Sequence, residues 1–327
     1  MSKSHIYVSP DKHEQLRYID HADNDHNPYY LNESSNQTYP TLNGIPNLTY
    51  PTHSEEKLDV TKKFYDDRVD AYEDCLHLTF YTHNENENEV RKDLVDLLNL
   101  SPDSKVLEIA AGTGRDSVFI AERLSGNGQY CIQDLSLSML QKAMPKLEAY
   151  DVPCHPCVSN ASYLPYPDNY FDAVYSFGGI GEFPDIGRSL REMVRVGKKG
   201  ATVVVGDESI PPWLRNTEFA KILSTTNPQF MANLPLESMP VEARNTMIKW
   251  IIGGVFYVIK FEVGEGEPTA NFDFNIPGLR GGTYRTRYEG HIEGVQKVTK
   301  EKLYNYCKKN NVSVHDFLEK AINDNLS

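Results

Sequence analysis

The stretch from residue 105 to residue 205 most constrains the fold, because short apolar segments there alternate with longer amphipathic ones. The apolar segments have the length of strands and cover residues 105–110, 130–134, 155–158, 171–176 and 201–205. Between them lie segments with helical periodicity, at residues 116–124, 138–149 and 186–196. Strands and helices that alternate in this way predict a parallel sheet with helices on both faces. The expected fold class is therefore α/β, with a doubly wound Rossmann-like sheet.

The segments on either side of this stretch have a different sequence pattern. After Pro211 the alternation is lost, which predicts an α+β insertion after the fifth strand, with a strand at residues 271–275. Two helices are expected near the end, at residues 300–309 and 313–323, with Ser313 capping the second. The expected parts are an N-terminal extension (1–55), a core domain (56–210), a substrate-covering insertion (211–298) and C-terminal helices (299–327).

Composition excludes several classes of partner. The formal net charge of −13 opposes a general affinity for nucleic acid or for an anionic membrane. The longest apolar run, residues 250–259, is about half the length of a membrane span. The start of the chain lacks the apolar region of a secretory signal, and five irregularly spaced cysteines favour a reducing cytoplasm. Cys154 and Cys157 have the spacing of a zinc half-site without a second pair, so no metal is expected.

A turn rich in small residues follows the first predicted strand. Glu108 precedes the string Ala110-Ala111-Gly112-Thr113-Gly114, whose small side chains let the backbone pass close to a ligand before a helix begins. The second strand ends in Asp134, whose carboxylate can accept both hydroxyls of a ribose. Dinucleotide-binding dehydrogenases use a similar turn, so these residues indicate a nucleoside cofactor of either kind. An acid ahead of the loop favours a cofactor with an ammonium and a sulfonium over one with a pyrophosphate.

Two later motifs distinguish between these cofactors. One runs from Val158-Ser-Asn-Ala161 to the strand around Phe171-Asp172, and the other runs from Leu190 to Gly200 ahead of the fifth strand. In this order and spacing, the motifs resemble those of class I S-adenosylmethionine-dependent methyltransferases. The resemblance covers roughly residues 60–210 and is closest to the ubiquinone/menaquinone-type (methyltransferase type 11) group, which acts on small molecules.

The resemblance implies a role in cofactor binding for ten residues. Glu108, Gly112 and Gly114 would hold the methionine part, and Ala110 stands where the family usually has glycine. Asp134 would hold the ribose. Leu135 and Met139 would flank the faces of the adenine, and Asn160 and Ala161 would contact its amino edge. Phe177 would lie near the methyl group.

The catalytic residues are less constrained, because a general base is needed only when the acceptor is not already nucleophilic. Tyr65 and Tyr72 lie in a segment that resembles the helix covering the cofactor in these enzymes, so they either take part in catalysis or pack in the core. His291 is a third candidate, with a hydrogen-bonded structural role as its alternative. Further candidates are His77, Glu182, Asp207, Glu208 and Tyr284.

The segment from Leu279 to Tyr288 interleaves arginines with tyrosines. Arg285, Arg287 and Tyr288 could bind a carboxylate or phosphate on the acceptor, since guanidinium groups hold such anions in a bidentate manner. The alternative, which we favour, is a solvated strand edge with both arginines on one face.

The N-terminal string Tyr39-Pro-Thr-Leu-Asn-Gly-Ile-Pro46 resembles the end of the short zinc-ribbon domain that accompanies several methyltransferases. The metal-binding cysteines are absent, and Val8 and Ser9 stand where one is expected. Residues 1–55 are therefore interpreted as a degenerate, metal-free zinc ribbon used for packing or as a lid.

Taken together, the sequence predicts an enzyme that transfers a methyl group from S-adenosylmethionine to an O, N or C nucleophile on a small-molecule acceptor. Two alternatives are a nicotinamide-dependent oxidoreductase and a non-catalytic S-adenosylmethionine-binding partner protein. The sequence is compatible with a monomer and with a homodimer.

Overall fold

The computed structural model describes residues 6–20, 27–51, 56–289 and 295–326. The chain divides into two compact units, residues 1–266 and residues 267–327. In the described ranges, no helix combines the length and the apolar character needed to cross a membrane.

The N-terminal extension forms a small antiparallel sheet in the first unit. Its strands pair in chain order and are β1 (Arg17–Ile19), β2 (Tyr29–Asn32), β3 (Gln37–Leu42) and β4 (Ile45–Pro46). The chain then joins the edge of the large sheet, where Leu48 N donates to Val158 O at 2.8 Å and Asn47 pairs with Val158 in parallel. The extension is thus integrated into the first unit through backbone hydrogen bonds.

A run of helices follows, as the periodicity between residues 55 and 100 predicts. These are α1 (Glu56–Asp66), α2 (Val69–Cys75), α3 (His77–Thr82) and α4 (Glu87–Asp96). The last of them begins at Asn86, whose side chain accepts from the backbone N–H groups of Asn88 and Glu89. It buries Leu94 and Val95 against the large sheet.

The rest of the first unit is a mixed sheet with helices on both faces. In chain order its elements are β5 (Lys105–Ile109), α5 (Ser117–Ala121), β6 (Gln129–Asp134), α6 (Leu137–Leu147), β7 (Cys154–Val158), β8 (Phe171–Phe177), α7 (Ile186–Val196), β9 (Gly197–Glu208), α8 (Glu218–Thr226), β10 (Ala243–Ile251) and β11 (Phe256–Val263). Seven strands of the described chain lie in the order β10-β11-β9-β8-β5-β6-β7. Strands β5 to β9 run parallel, and β11 is antiparallel to both β9 and β10. The predicted doubly wound sheet is confirmed.

The core lies on both faces of this sheet, because successive side chains of a strand point to opposite sides. Leu107 and Val203 belong to one buried cluster, while their neighbours Val106 and Val204 belong to the other. A strand that is buried on both faces has a continuous apolar sequence, which is the pattern of the parallel strands in this sheet.

The sheet continues beyond the boundary expected at residue 211. Residues 243–263 form β10 and β11 of the same sheet instead of a separate insertion, and the compact unit ends only at Gly266. The apolar run at residues 250–259 spans the end of β10, a short turn and the start of β11. Because β11 is buried on both faces, its sequence lacks the alternation that would have marked it as an antiparallel strand.

The second unit contains α9 (Tyr284–Glu289), α10 (Lys297–Asn310) and α11 (Val314–Leu326). The last two confirm the predicted C-terminal helices, and Ser313 Oγ accepts from Asp316 N at 3.0 Å, as expected of an N-cap. The strand predicted at residues 271–275 is wrong, since Asn271 Oδ1 accepts from Asp273 N and bends the chain there.

We predict that Leu48→Ala destabilises the first unit, because Leu48 of the extension is fully buried in the main core. The expected loss is about 2–5 kcal/mol in the free energy of unfolding, measured by chemical denaturation. The matched control is Leu236→Ala, at a leucine that is 47% exposed, with an expected loss under about 1 kcal/mol. Equal losses in the two variants would show that the extension is not part of the core.

Candidate functional site

A cavity of about 680 Å³ lies at the carboxyl ends of the parallel strands, where ligands bind in open α/β sheets. We call it the first cavity. Its walls come from α1 and α2 and from the loops that follow β5, β6, β7 and β8. Seven residues predicted for the cofactor line it, namely Ala110, Gly112, Asp134, Leu135, Met139, Asn160 and Ala161.

Glycine stands at the two predicted positions of the turn for different structural reasons. Both have positive φ, 54° at Gly112 and 79° at Gly114. A Cβ at Gly112 would meet nothing within 4 Å, so its backbone borders open space on the first cavity. A Cβ at Gly114 would lie 2.9 Å from Cβ of Ala143. Gly114 is not among the residues that line the first cavity, and it allows the turn to pack against α6, while its predicted contact with the cofactor stays a prediction.

Glu108 also lies away from the cavity wall. Its carboxyl group is buried beneath the turn, where it accepts from Ser117 Oγ at 2.5 Å and from the Tyr130 hydroxyl. Burial, with a smaller contribution from nearby Asp116, raises the pKa of Glu108 to about 8. Glu108 thus supports the turn from below, and its predicted role at the methionine part of the cofactor stays a prediction.

Asp134 stands at the end of β6 with both carboxylate oxygens fixed. Oδ2 accepts from Gly112 N at 2.8 Å, and Oδ1 accepts from Ser136 N at 2.8 Å. Burial raises the pKa of Asp134 to about 6, although these backbone donors oppose the rise. Each oxygen keeps a second lone pair, so the carboxylate can accept two further hydroxyl groups from within the cavity.

Asn160 is held by the N-terminal extension. Its Nδ2 donates to Tyr50 O at 3.0 Å, and its Oδ1 accepts from Ser162 N at 3.0 Å. The Tyr50 ring packs edge-on against Tyr163 with the ring centroids 4.9 Å apart. The contact joins residues 110 positions apart, and no local sequence pattern indicates it. The two hydrogen bonds of Asn160 leave one N–H and one lone pair of its amide available to a ligand.

Tyr65 and Tyr72 project from α1 and α2 into the first cavity, with their ring centroids 5.8 Å apart. Helix α1 is tied to the start of α6, since Asp66 Oδ1 accepts from Ser136 Oγ at 2.5 Å. Burial raises the pKa of Tyr72 to about 12 and raises that of Tyr65 further. Both phenols therefore stay protonated at neutral pH and can donate hydrogen bonds.

An ionic network that sequence reasoning missed joins the helices to the turn. Arg91 pairs with Glu87 at 2.9 Å and with Asp116 at 2.8 Å, and its side chain is 6% exposed. Arg115 pairs with the same Glu87 at 2.7 Å, so α4 is clamped to the chain that follows the glycines. Lys146 of α6 pairs with Glu73 of α2 at 2.7 Å.

A wider second cavity, of about 1310 Å³, adjoins the first. The two share Tyr65, Tyr72, Ala110, Gly112, Gly178 and Glu182 in their walls. Phe177, predicted near the methyl group, lines the second cavity, as do the acidic candidates Glu182, which follows β8, and Asp207 and Glu208, which end β9. Asp207 Oδ2 accepts from Gly181 N at 2.6 Å. Burial and the neighbouring Asp207 raise the pKa of Glu208 to about 9.

The remaining predicted residues lie elsewhere. Arg285, Arg287 and Tyr288 belong to α9 of the second unit, a helix where a strand edge was considered. Arg285 pairs with Asp273 at 2.8 Å, Arg287 donates to Gly281 O at 2.8 Å, and Tyr288 is 79% exposed. Their contacts within the second unit favour a structural role for both arginines. His291 falls outside the described residues.

Residues 106–200 match the family model described as a methyltransferase domain. This segment is therefore similar to methyltransferase domains, as the ordered motifs predicted. A demethylmenaquinone methyltransferase of Corynebacterium urealyticum is 38% identical over 115 residues, which cover 35% of this chain and 46% of the relative. One from Listeria welshimeri is 34% identical over 127 residues, which cover 38% and 54%. The chain thus spans about half the length of the curated relatives it matches.

Two solved structures show a more distant similarity. Geranyl diphosphate C-methyltransferase from Streptomyces coelicolor is 11% identical, with a TM-score of 0.49 over 65% of this chain and 99% of that chain. A SAM-dependent methyltransferase from Aquifex aeolicus is 15% identical, with a TM-score of 0.42 over 61% and 98%. Neither similarity bears on the acceptor.

The cysteines and the extension give no sign of a bound metal in the ranges that the structure describes. No group of three or more His, Cys, Asp or Glu side chains there is arranged to hold an ion. Cys157 is buried, Cys154 is half-buried, and both are free thiols. The likeness of residues 1–55 to a zinc ribbon stays a prediction.

We predict that Asp134→Asn weakens binding of S-adenosylhomocysteine by about 10–100-fold, because a charged acceptor for two ribose hydroxyls is lost. Isothermal titration calorimetry measures the dissociation constant directly. The matched control is Asp96→Asn, at a largely exposed aspartate that pairs with Arg123. The control should leave the affinity unchanged, and equal affinities in both variants would contradict the assigned role.

The same carboxylate predicts a pH dependence. The ribose hydroxyls donate to the ionised form, so binding to the wild-type protein should weaken as the pH falls from 7 to 5, through the Asp134 pKa of about 6. The Asp134→Asn variant should lack this step. A step of equal size in the variant would assign it to another group.

Proposed function

We propose that the protein transfers a methyl group from S-adenosylmethionine to a small-molecule acceptor. The observation that carries the proposal is the pair of adjoining cavities at the carboxyl edge of the sheet, which share Tyr65, Tyr72 and Gly178 in their walls. The methyltransferase domain at residues 106–200 supports the choice of cofactor. Two adjoining cavities suit a reaction in which cofactor and acceptor must be held in line.

The residues of the first cavity fit S-adenosylmethionine. Open space borders the backbone at Gly112 and at Gly178, where a Cβ would meet nothing within 4 Å. The fixed carboxylate of Asp134 offers lone pairs to ribose hydroxyls. The half-satisfied amide of Asn160 can read the edge of an adenine between Leu135 and Met139.

When bound, the cofactor supplies an electrophilic methyl carbon on a sulfonium. The contribution of the chain is to bind, to orient and to exclude water, with α1 and α2 covering the first cavity through Tyr65 and Tyr72. These phenols remain protonated, so they orient the reactants by packing and hydrogen bonding instead of acting as bases. Glu182 and Asp207 are the groups in the second cavity that can receive a proton from the acceptor, because Glu208, with its pKa raised to about 9, already holds its proton at neutral pH.

We also propose a cellular location and a class of partner for the reaction. Five free cysteines suit a reducing cytoplasm, as the sequence predicted. A net charge of −13 supports a small molecule, and neither nucleic acid nor membrane, as the partner. His291 stays a proposed catalytic participant on the strength of its sequence context alone.

We predict that S-adenosylmethionine and S-adenosylhomocysteine raise the melting temperature of the protein, whereas NADH and NADPH do not. A ligand at about 100 times its dissociation constant stabilises the folded state by about 2.7 kcal/mol, which a thermal-shift assay resolves. Stabilisation by the nicotinamide cofactors alone would favour the oxidoreductase alternative.

Turnover needs a second measurement, because a non-catalytic binding protein would give the same thermal shift. Cell extracts incubated with the protein and methyl-labelled cofactor should yield a labelled small molecule, identified by mass spectrometry. The Asp134→Asn variant is the control and should give much less label. Binding without any label transfer would favour the non-catalytic alternative.

A further inference from the structure

The second cavity carries an excess of negative charge. Glu182, Asp207 and Glu208 all line it; Glu182 lies in the short 3-10 helix that follows β8, and Asp207 and Glu208 end the neighbouring strand β9. Among the described residues, no lysine, arginine or histidine nitrogen lies within 4.0 Å of these three carboxylates. Their hydrogen-bond partners are backbone N–H groups and the side-chain amides of Asn227 and Gln229, and Glu208 also hydrogen-bonds to Asp207.

Two arginines also line this cavity, but their charge is already balanced. Arg91 pairs with Glu87 and Asp116. Arg115 pairs with the same Glu87 and with Glu73. Neither guanidinium is therefore a counter-ion for the carboxyl groups of Glu182, Asp207 and Glu208.

Burial makes this excess costly. Asp207 is 5% exposed, and its two oxygens are held by the N–H groups of Gly181 and Glu208. Burial and the adjacent Asp207 raise the pKa of Glu208 to about 9. A buried carboxylate without an opposite charge is unfavourable, and a cation that enters the cavity relieves this cost.

The remaining wall is aromatic, which is an independent observation. Six rings line the second cavity, those of Phe64, Tyr65, Tyr72, Phe80, Phe177 and Phe256. Aromatic faces attract cations through their quadrupole, and such rings form the cages that bind quaternary ammonium groups. The wall already holds one cation in this way, since the Arg91 guanidinium lies over Phe80 at 5.1 Å from the ring centroid.

We propose that the second cavity binds an acceptor that carries a positively charged nitrogen, as an amine or a quaternary ammonium group. This inference rests on the proposed function, in which the second cavity receives the acceptor. The carboxyl group of Glu182 and the hydrogen-bonded pair of Asp207 and Glu208 supply the charge, and the aromatic rings supply the faces against which the cation packs.

The test compares cations with neutral molecules of the same shape on protein saturated with S-adenosylhomocysteine. One pair is choline and 3,3-dimethylbutan-1-ol, and the other is 2-phenylethylamine and 2-phenylethanol. Calorimetry should show the cation bound at least about tenfold more tightly in at least one pair, a difference in affinity that the method resolves. Equal affinities, a preference for the neutral molecules, or no binding of either cation would overturn the inference.

The double variant Glu182→Gln/Asp207→Asn tests the source of the preference. It keeps the side-chain shapes and removes two charges, so the ratio of cation to neutral affinity should fall about tenfold. Glu237→Gln, at an exposed glutamate, is the control and should leave the ratio unchanged. An unchanged ratio in the double variant would also overturn the inference.

The two proposals fail in different ways. A wild-type protein that binds no S-adenosylhomocysteine contradicts the proposed function itself, before any cation is added. A protein that binds S-adenosylhomocysteine and shows no cation preference contradicts only the charge of the acceptor.

Discussion

The parallel pairing of β5 with β6 and β8 is the constraint on which the site depends. Leu107 of β5 is in register with Cys131 on one side and Val174 on the other, so these strands end at one edge of the sheet. The chain leaves each strand there, and the backbone polar groups at the strand ends have no ladder partners. Asp134 satisfies two of them, at Gly112 and Ser136, and so joins the turns that follow β5 and β6.

The carboxyl groups of Glu108, Asp116, Asp207 and Glu208 fall into two kinds that are distinguished by their partners. Glu108 accepts from two hydroxyl groups and lies below the turn, so it is satisfied without a ligand. Asp116 is equally buried and is paired with Arg91. Asp207 and Glu208 have only neutral donors and face a cavity. The first kind stabilises the fold, and the second kind leaves at the cavity wall a negative charge that the proposed cation would match.

Sequence reasoning predicted those features of the structure that a local sequence pattern determines. The parallel strands follow from the periodicity of the sequence. The place of Asp134 at a strand end follows from the motifs, because the residues of a strand and of the turn after it are adjacent in the chain. Gly114 and Glu108 were assigned to the cofactor because a motif indicates which residues matter but not which way they face. Gly114 packs on α6, and Glu108 points below the turn. The pairing of β11 with β9 was missed because burial on both faces removes the alternation from its sequence.

The N-terminal extension shows why the rest could not be predicted. Its part in the site depends on one backbone carbonyl, that of Tyr50, which orients Asn160 at a distance of 110 residues along the chain. Carbonyl groups are the same in every residue, so no side-chain pattern indicates such a contact. The neighbouring Leu48 is buried in the main core and hydrogen-bonded to Val158 at the end of β7. The same short segment therefore closes the edge of the sheet and positions the amide at the proposed adenine end of the first cavity, which couples the stability of the extension to binding of the cofactor.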